Sequence, residues 1–205
     1  MFRNLFNPDN ALMITMSQIT DCIFLSLFWL LGCVPVITVG ASTAALYDAV
    51  SRGLRQGDKH SWQRFFRSYR QNLKSGMPSS VIFAVLAAVL LRSAIALWNS
   101  AAVGSLSWMA FSGIAFVLLI PAGVLYLVFP VLSRFENSTA GLWANTARLG
   151  LANLPGLLAL SALHTVAGFL CLRWIFPLFF LPALAALLGS LFIEPMLKPY
   201  MGEEA

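Results

Sequence analysis

Residues 21–47 of the chain read DCIFLSLFWLLGCVPVITVGASTAALY, and this stretch decides the fold. It begins as an apolar helix, is interrupted around Gly32 and Pro35, and resumes as a helix of small residues over 44–50. Proline lacks a backbone donor and disfavours helical geometry in the residue before it. Such a break survives in lipid only where protein or trapped water covers the freed polar groups. We therefore expect this stretch to be buried among other helices.

The composition places most of the chain in lipid rather than in water. Hydrophobic residues make up 59% of the 205 residues and charged residues 10%, whereas soluble domains have about 25% charged residues. Long apolar runs recur, as is typical of transmembrane helices. The sequence therefore predicts a single all-α domain, a polytopic transmembrane helical bundle, and excludes a soluble globular domain.

The alternation of apolar and polar segments predicts about five spans. In chain order the segments are an interfacial lead-in (1–20), a broken first span (21–50), a basic cytoplasmic amphipathic segment (51–76), the second and third spans (77–132), a second cytoplasmic segment (133–155), the fourth and fifth spans (156–193) and a polar tail (194–205). If residues 35–50 cross the membrane separately, there are six spans.

The Lys and Arg residues set the expected orientation. Seven of the thirteen lie in 51–76, and Arg134 and Arg148 lie in 133–155. Such an excess marks cytoplasmic segments, so both are expected inside. With five spans the N-terminus then lies outside and the C-terminus inside. With six spans both ends lie inside.

A parallel internal repeat favours five spans. The first copy contains Leu46-Tyr47, Ser51-Arg52, Trp62, Asn72 and Pro78, and the second contains Leu125-Tyr126, Ser133-Arg134, Trp143, Asn153 and Pro155. Both copies would run in the same direction through the membrane, as in some transporters. Because residues 106–132 of the second copy cross once, we expect residues 21–50 to cross once as well.

The basic segment has the pattern of an amphipathic helix. Its apolar face consists of Trp62, Phe65, Phe66, Tyr69 and Leu73, and the basic residues largely off that face are Arg64, Arg67, Arg70 and Lys74. A basic helix with aromatic residues could stack on nucleic acid. This one is tethered between spans and its aromatic residues face one side, so contact with anionic inner-leaflet lipids explains the pattern more simply. We expect a lipid bilayer partner and no nucleic acid.

Motifs spread over nearly the whole chain carry a resemblance to a known family. They are Phe28-Trp29-Leu30-Leu31, Pro35-Val36-Ile37-Thr38-Val39-Gly40, Ala44-Ala45-Leu46-Tyr47, Phe65-Phe66, Phe129-Pro130, Arg134-Phe135-Glu136 and Asn153-Leu154-Pro155. This set resembles the signature of the YesL-like family, small bacterial integral membrane proteins with a domain of unknown function. Members often have proline where this chain has Ala41.

The resemblance implies a multi-pass protein of the bacterial cytoplasmic (inner) membrane and no particular reaction. Members commonly occur beside genes for sugar ABC transporters and sensors. It therefore implies an accessory of carbohydrate uptake or sensing, with an ABC transporter permease or a sensor kinase as partner.

The chain carries none of the common catalytic or cofactor motifs. It has no GxxxxGK[ST], GxGxxG, HExxH or GxSxG and no paired Cys/His metal spacing. The cysteines Cys22, Cys33 and Cys171 form no CxxC pair. We expect no enzymatic activity, no cofactor and no metal.

Three polar groups could act at membrane depth. Asp21 could be a cation or proton site, or an interfacial cap near the outer headgroups. His164, near the middle of its span, could shuttle protons, or bond as a neutral side chain to a neighbouring helix. Glu194, before Pro195, is the weakest candidate.

The helix break is the strongest candidate for a ligand site. Its residues are Pro35, Thr38, Gly40, Ser42 and Thr43. Broken helices offer backbone amides and hydroxyls to transporter ligands, whereas small hydroxyl residues also let helices pack closely. Both interpretations remain open from the sequence.

Two functions follow from these features. The first is an accessory or scaffold component that binds membrane proteins through its spans and inner-leaflet lipids through its basic helix. Small-residue pairs, Ala185 with Gly189 and Ser161 with Thr165, are typical of packing or homo-oligomer faces. The alternative is a small transporter or channel with its site at the Pro35–Thr43 break.

Overall fold

The fold consists of helices joined by short turns. The computed structural model describes residues 11–56, 60–102, 107–135 and 138–200. The α-helices are α1 (Ala11–Cys33), α2 (Val39–Asp48), α3 (Ser61–Ala102), α4 (Trp108–Leu132), α5 (Thr139–Ala152), α6 (Leu154–Arg173) and α7 (Leu181–Leu197). Short helical turns lie at Val36–Thr38, Ala49–Gly53, Leu54–Gln56, Phe176–Phe179 and Lys198–Tyr200. No strand occurs in these ranges, and the predicted all-α bundle is confirmed.

Five helical segments are long and apolar enough to cross a membrane. They are Met16–Cys33, Ser61–Ala102, Trp108–Leu132, Leu154–Arg173 and Leu181–Tyr200. A helix rises 1.5 Å per residue, so about 20 residues span a hydrocarbon core of roughly 30 Å. The last four segments correspond to the second to fifth predicted spans, and Met16–Cys33 overlaps the first part of the predicted broken span.

The chain reverses direction at the predicted helix break. The indole Nε1 of Trp29 in α1 donates a hydrogen bond of 3.1 Å to the Thr43 hydroxyl in α2. In one continuing helix these residues would be about 21 Å apart along the axis. Pro35 is extended, with φ −79° and ψ 116°, and it turns the chain. We expected one broken crossing through 21–50, and the structure has a hairpin of α1 and α2 instead.

Helix α3 joins the predicted basic segment to the second span. It runs for 42 residues without interruption and contains Pro78. A straight helix of this length is about 63 Å long, roughly twice the hydrocarbon core. The basic residues therefore lie in a half that extends beyond a single crossing. The Ser79 and Ser80 hydroxyls donate to the backbone oxygens of Ser75 and Gly76 beside the proline.

Several predicted boundaries shift. Residues 11–20 of the predicted lead-in belong to α1, while residues 1–10 and 201–205 lie outside the described residues. Within the predicted fourth and fifth spans (156–193), a short turn at Phe176–Phe179 separates α6 from α7. Helix α7 also continues through Glu194 and Pro195, so the first part of the predicted tail is helical.

The two copies of the predicted repeat form different helices. Asn153 leaves helical geometry, with φ −126° and ψ 53°, and separates α5 from α6. Asn72, its counterpart, lies inside the uninterrupted α3. The repeat stays a prediction.

Helix α2 lies at the centre of the bundle. Its Ala41, Ala44 and Ala45 are completely buried, and its residues contribute to two hydrophobic clusters. One cluster includes Val128 and Phe129 of α4, and the other includes Phe65 of α3. The expected burial of the broken stretch thus holds for α2. Residues 34–37, in the turn between α1 and α2, are by contrast exposed.

Candidate functional site

The polar groups of the helix break are bonded within the protein. The buried Thr38 hydroxyl lies 2.7 Å from the Gly32 oxygen and 2.8 Å from the Pro35 oxygen. The Ser42 hydroxyl donates a bond of 2.9 Å to the Trp29 oxygen. These side chains satisfy backbone oxygens that the break removes from the helix ladder. Pro35 itself is exposed.

Gly40 permits a close contact between three helices. Its amide donates to the Ser80 hydroxyl at 2.8 Å, and Ser80 in turn donates to the Gly76 oxygen at 2.7 Å. A Cβ on Gly40 would lie 2.6 Å from Ser80 Oγ and 2.7 Å from Phe129 Cε1. The small residues here serve packing between α2, α3 and α4.

A cavity of about 270 Å³ lies beside the break. It brings together two residues singled out from the sequence, Thr43 of α2 and His164 of α6. Aromatic lining residues are Trp29, Tyr47, Phe83, Tyr126 and Phe129, and small ones are Ala167, Gly168, Ala185 and Ala186. The other break residues, Pro35, Thr38, Gly40 and Ser42, are not among the lining residues.

The hydrogen bond of His164 fixes its tautomer. Its Nδ1 lies 3.0 Å from the backbone oxygen of Leu160, one turn earlier in α6. Because that oxygen can only accept, Nδ1 carries the proton, and in the neutral ring Nε2 is an acceptor. The ring stacks on Tyr126 of α4, with centroids 4.8 Å apart. We expected a hydrogen bond to a neighbouring helix, but the bond lies within α6 and the neighbour contributes stacking.

A charged cluster that we did not predict joins the end of α4 to α7. The Arg134 side chain, only 5% exposed, pairs with Glu194, which is 22% exposed. Arg134 also donates to the Ser51 hydroxyl at 3.1 Å, and the Tyr47 hydroxyl donates to Glu194 at 3.0 Å. The guanidinium carbon lies 5.8 Å from the centre of the Tyr47 ring, within cation–π range. Tyr47 thereby links this cluster to the cavity.

Asp48 extends the charged cluster along α2. Its carboxylate is buried and lies 3.6 Å from Arg52 Nε. Three charged residues, Asp48, Arg134 and Glu194, each lie next to an apolar run. Charges are scarce in this chain, which has only eight acidic residues, so their positions were the signal that could have indicated this cluster. Their pairing joins distant segments, so spacing along the sequence could not reveal it.

Asp21 lies away from both the break and the cavity. It is half-buried in α1, and no hydrogen bond or ion pair from its carboxylate occurs in the described ranges. The next residue, Cys22, packs against the cluster that contains Val50 and Leu54. Asp21 thus lies at the end of the hairpin nearest the basic segment, rather than near the turn.

The predicted apolar face of the basic helix is divided between two environments. Phe65 is 2% exposed and its ring lies 6.1 Å from that of Phe28 in α1. Tyr69 stacks on Phe65, whereas Trp62 is 48% and Phe66 41% exposed. On the outer side, Arg67, Arg70 and Lys74 are exposed, while Arg64 is half-buried. Only part of the face is therefore available to lipid.

One of the two predicted small-residue pairs, Ala185 with Gly189, packs inside the molecule. Ala185 and Gly189 are buried, and a Cβ on Gly189 would lie 3.1 Å from His164 and 3.2 Å from Leu160. This pair packs α7 on α6. Ser161 is also buried, and Thr165 is exposed.

No group of three metal-ligating side chains occurs in the part of the chain that the structure describes. Cys22, Cys33 and Cys171 are free thiols.

Five long apolar helices and a largely apolar surface define the class of a multi-pass helical membrane protein. Residues 22–93, roughly a third of the chain, match a family described as "Protein of unknown function, DUF624". The match covers α2, about half of α1, most of α3 and the hairpin turn. Comparison with curated proteins and with solved structures gives no match.

Proposed function

We propose that this protein is an accessory or scaffold component of the bacterial cytoplasmic membrane, related to the YesL-like family. It would bind another membrane protein, an ABC transporter permease or a sensor kinase of a carbohydrate-uptake system. It would contact anionic inner-leaflet lipids as well. No chemical reaction is part of this proposal.

The observation that carries the proposal is the exposed apolar surface of the hairpin formed by the second half of α3 and the first half of α4. From residue 81 to the end of α3, Ala101 is the only fully buried residue, and α4 has none before Gly123. The two helix ends contact each other through Trp98 and Phe111, whose ring centroids are 6.2 Å apart. The exposed apolar faces of this hairpin are available to a third helix from another protein.

The bonding at the break also favours a scaffold over an ion or solute pathway. A ligand there would have to displace hydrogen bonds that the Thr38, Ser42 and Ser80 hydroxyls already make. Leaving buried carbonyl groups without partners costs about 1–3 kcal/mol each.

The outer side of the basic helix supports the lipid contact. Arg67, Arg70 and Lys74 are exposed there together with Trp62 and Phe66. Each basic residue near an anionic surface contributes about 1 kcal/mol. We expect Arg67→Gln with Arg70→Gln to reduce the anionic phospholipid that co-purifies with the protein.

Photo-cross-linking in native membranes tests the scaffold function. A photoreactive residue at Val89 or Phe116, both exposed on the hairpin of α3 and α4, should give an adduct with a permease or kinase subunit. The same residue at Leu188, exposed on α7, is the matched control and should give lipid adducts. Lipid adducts alone at all three positions would contradict the proposal.

The cavity beside the break is the specific observation that favours the alternative, a small transporter or channel. It predicts solute flux into liposomes that contain only this protein, lowered by Thr43→Val. Gly40→Leu is a poor test because its side chain would collide with Ser80 and Phe129. Flux from the protein alone would favour the transporter over the scaffold.

A further inference from the structure

We propose that the cavity between α2, α4, α6 and α7 binds a small uncharged alcohol or phenol. This site is independent of the scaffold function. Its floor and walls come from distant parts of the chain, so it exists only in the assembled bundle.

The lining excludes a charged ligand. No Asp, Glu, Lys or Arg is among the described residues that line the cavity. Arg134 and Glu194, which contact the lining residue Tyr47, are paired with each other. A charged molecule would lose its hydration without gaining a counter-ion, which is strongly unfavourable.

Two polar groups point to a hydroxyl on the ligand. His164 Nε2 is an acceptor that has no protein donor in the described part of the chain. Thr43 Oγ1 accepts from Trp29, so its own proton is available to donate. A hydroxyl can donate to the histidine and accept from the threonine, whereas a hydrocarbon can do neither.

The size and shape of the cavity favour a compact ring. Its volume of about 270 Å³ exceeds that of an apolar cavity of about 150 Å³ that binds benzene, so a single aromatic ring fits. Aromatic rings of Trp29, Tyr126 and Phe129 form part of the wall and can stack on a flat ligand.

Gly168 lies at the exposed edge of the cavity, so a larger side chain there can block the cavity without disturbing the fold. It lines the cavity, and a Cβ built on it meets nothing within 4 Å. Gly113 of α4 also has nothing within 4 Å, but it does not line the cavity. Gly168→Leu and Gly113→Leu are therefore a matched pair of variants.

The test compares two probes of similar shape, 4-bromophenol and 4-bromotoluene, on the full chain in lipid nanodiscs. We expect one saturable site for 4-bromophenol, with an affinity about fivefold higher than that of 4-bromotoluene because of the hydroxyl. Gly168→Leu should abolish binding of both probes, and Gly113→Leu should leave both unchanged. His164→Phe keeps a stacking ring and should reduce 4-bromophenol binding to the level of 4-bromotoluene.

Equal affinity of the two probes, or 4-bromophenol binding that His164→Phe does not change, would overturn the proposal and leave an unspecific apolar void. Absence of saturable binding would overturn it too. Binding that survives Gly168→Leu would place the probe elsewhere. Unfolding temperatures of all three variants establish that each binding result comes from a folded protein.

Discussion

At the scale of single residues, Gly40 lies where α2, α3 and α4 meet. We expect Gly40→Ala to destabilise the protein by about 1–3 kcal/mol, the usual cost of overpacking. The physical reason is that the new Cβ would lie within 3 Å of Ser80, Phe129 and the Gly76 oxygen. Reversible unfolding in detergent, followed by circular dichroism, measures the change.

Gly113→Ala is the control for this prediction. Nothing lies within 4 Å of a Cβ at that position, so the better helix propensity of alanine should leave stability unchanged or raise it by up to about 1 kcal/mol. If both variants lose the same stability, close packing at Gly40 is not the cause.

The sequence identified the residues of the break but not their role. The hydroxyls of Thr38 and Ser42 could have bound either a ligand or backbone oxygens. The spacing of these residues in the sequence is the same in both cases, so it could not distinguish the two roles. The deciding partner of Gly40 is Ser80, forty residues further along the chain. No local sequence pattern predicts such a contact.

At the scale of helices, the first half of α3 has an inner and an outer face. We expect Phe65→Ala to cost about 3–5 kcal/mol of unfolding free energy, because the ring is buried against α1 and α2. Phe66→Ala, one residue later on the exposed side, should cost much less. The same unfolding experiment compares them, and a similar loss in both would contradict this division.

The contact between Arg134 and Glu194 joins α7 to the end of α4. We expect Arg134→Met alone to cost about 3 kcal/mol, since a buried charge left without its partner is strongly destabilising. Arg134→Met combined with Glu194→Met should cost less than the sum of the two single changes. A double-mutant cycle measures this difference, and simple additivity would contradict the coupling.

Helix existence was predictable, and helix boundaries were less so. Run length and apolarity identified all five long helices because crossing lipid demands both. Hydropathy predicted a division between the basic segment and the second span, yet α3 continues through Pro78. A proline inside a helix either ends the helix or is accommodated in it. Pro78 is accommodated, and the Ser79 and Ser80 hydroxyls donate hydrogen bonds to neighbouring backbone oxygens.

At the scale of the whole molecule, the hairpin brings the start of α1 to the same end as the basic segment. This favours the alternative in which both termini are cytoplasmic. In a cysteine-free background, we expect Met16→Cys and Gln71→Cys to react with an impermeant thiol reagent from the cytoplasmic side only. Both residues are exposed.

Ser107→Cys, exposed just before α4, is the control and should react from the outside. Reaction of Met16→Cys from the outside would instead support the prediction that residues 21–50 cross the membrane once. The sequence could not decide this point because an apolar run has the same hydropathy in either direction. The hydrogen bond between Trp29 and Thr43 shows that α2 runs back along α1. It is a tertiary contact, which sequence hydropathy does not reveal.

The pairing of Arg134 with Glu194 has a consequence for biogenesis. Glu194 follows Arg134 by sixty positions, so it leaves the ribosome only after α5 and α6 have been synthesised. Until then the Arg134 guanidinium lacks its carboxylate partner. A transcript cut short before codon 194 should therefore yield a polypeptide that membrane proteases remove early.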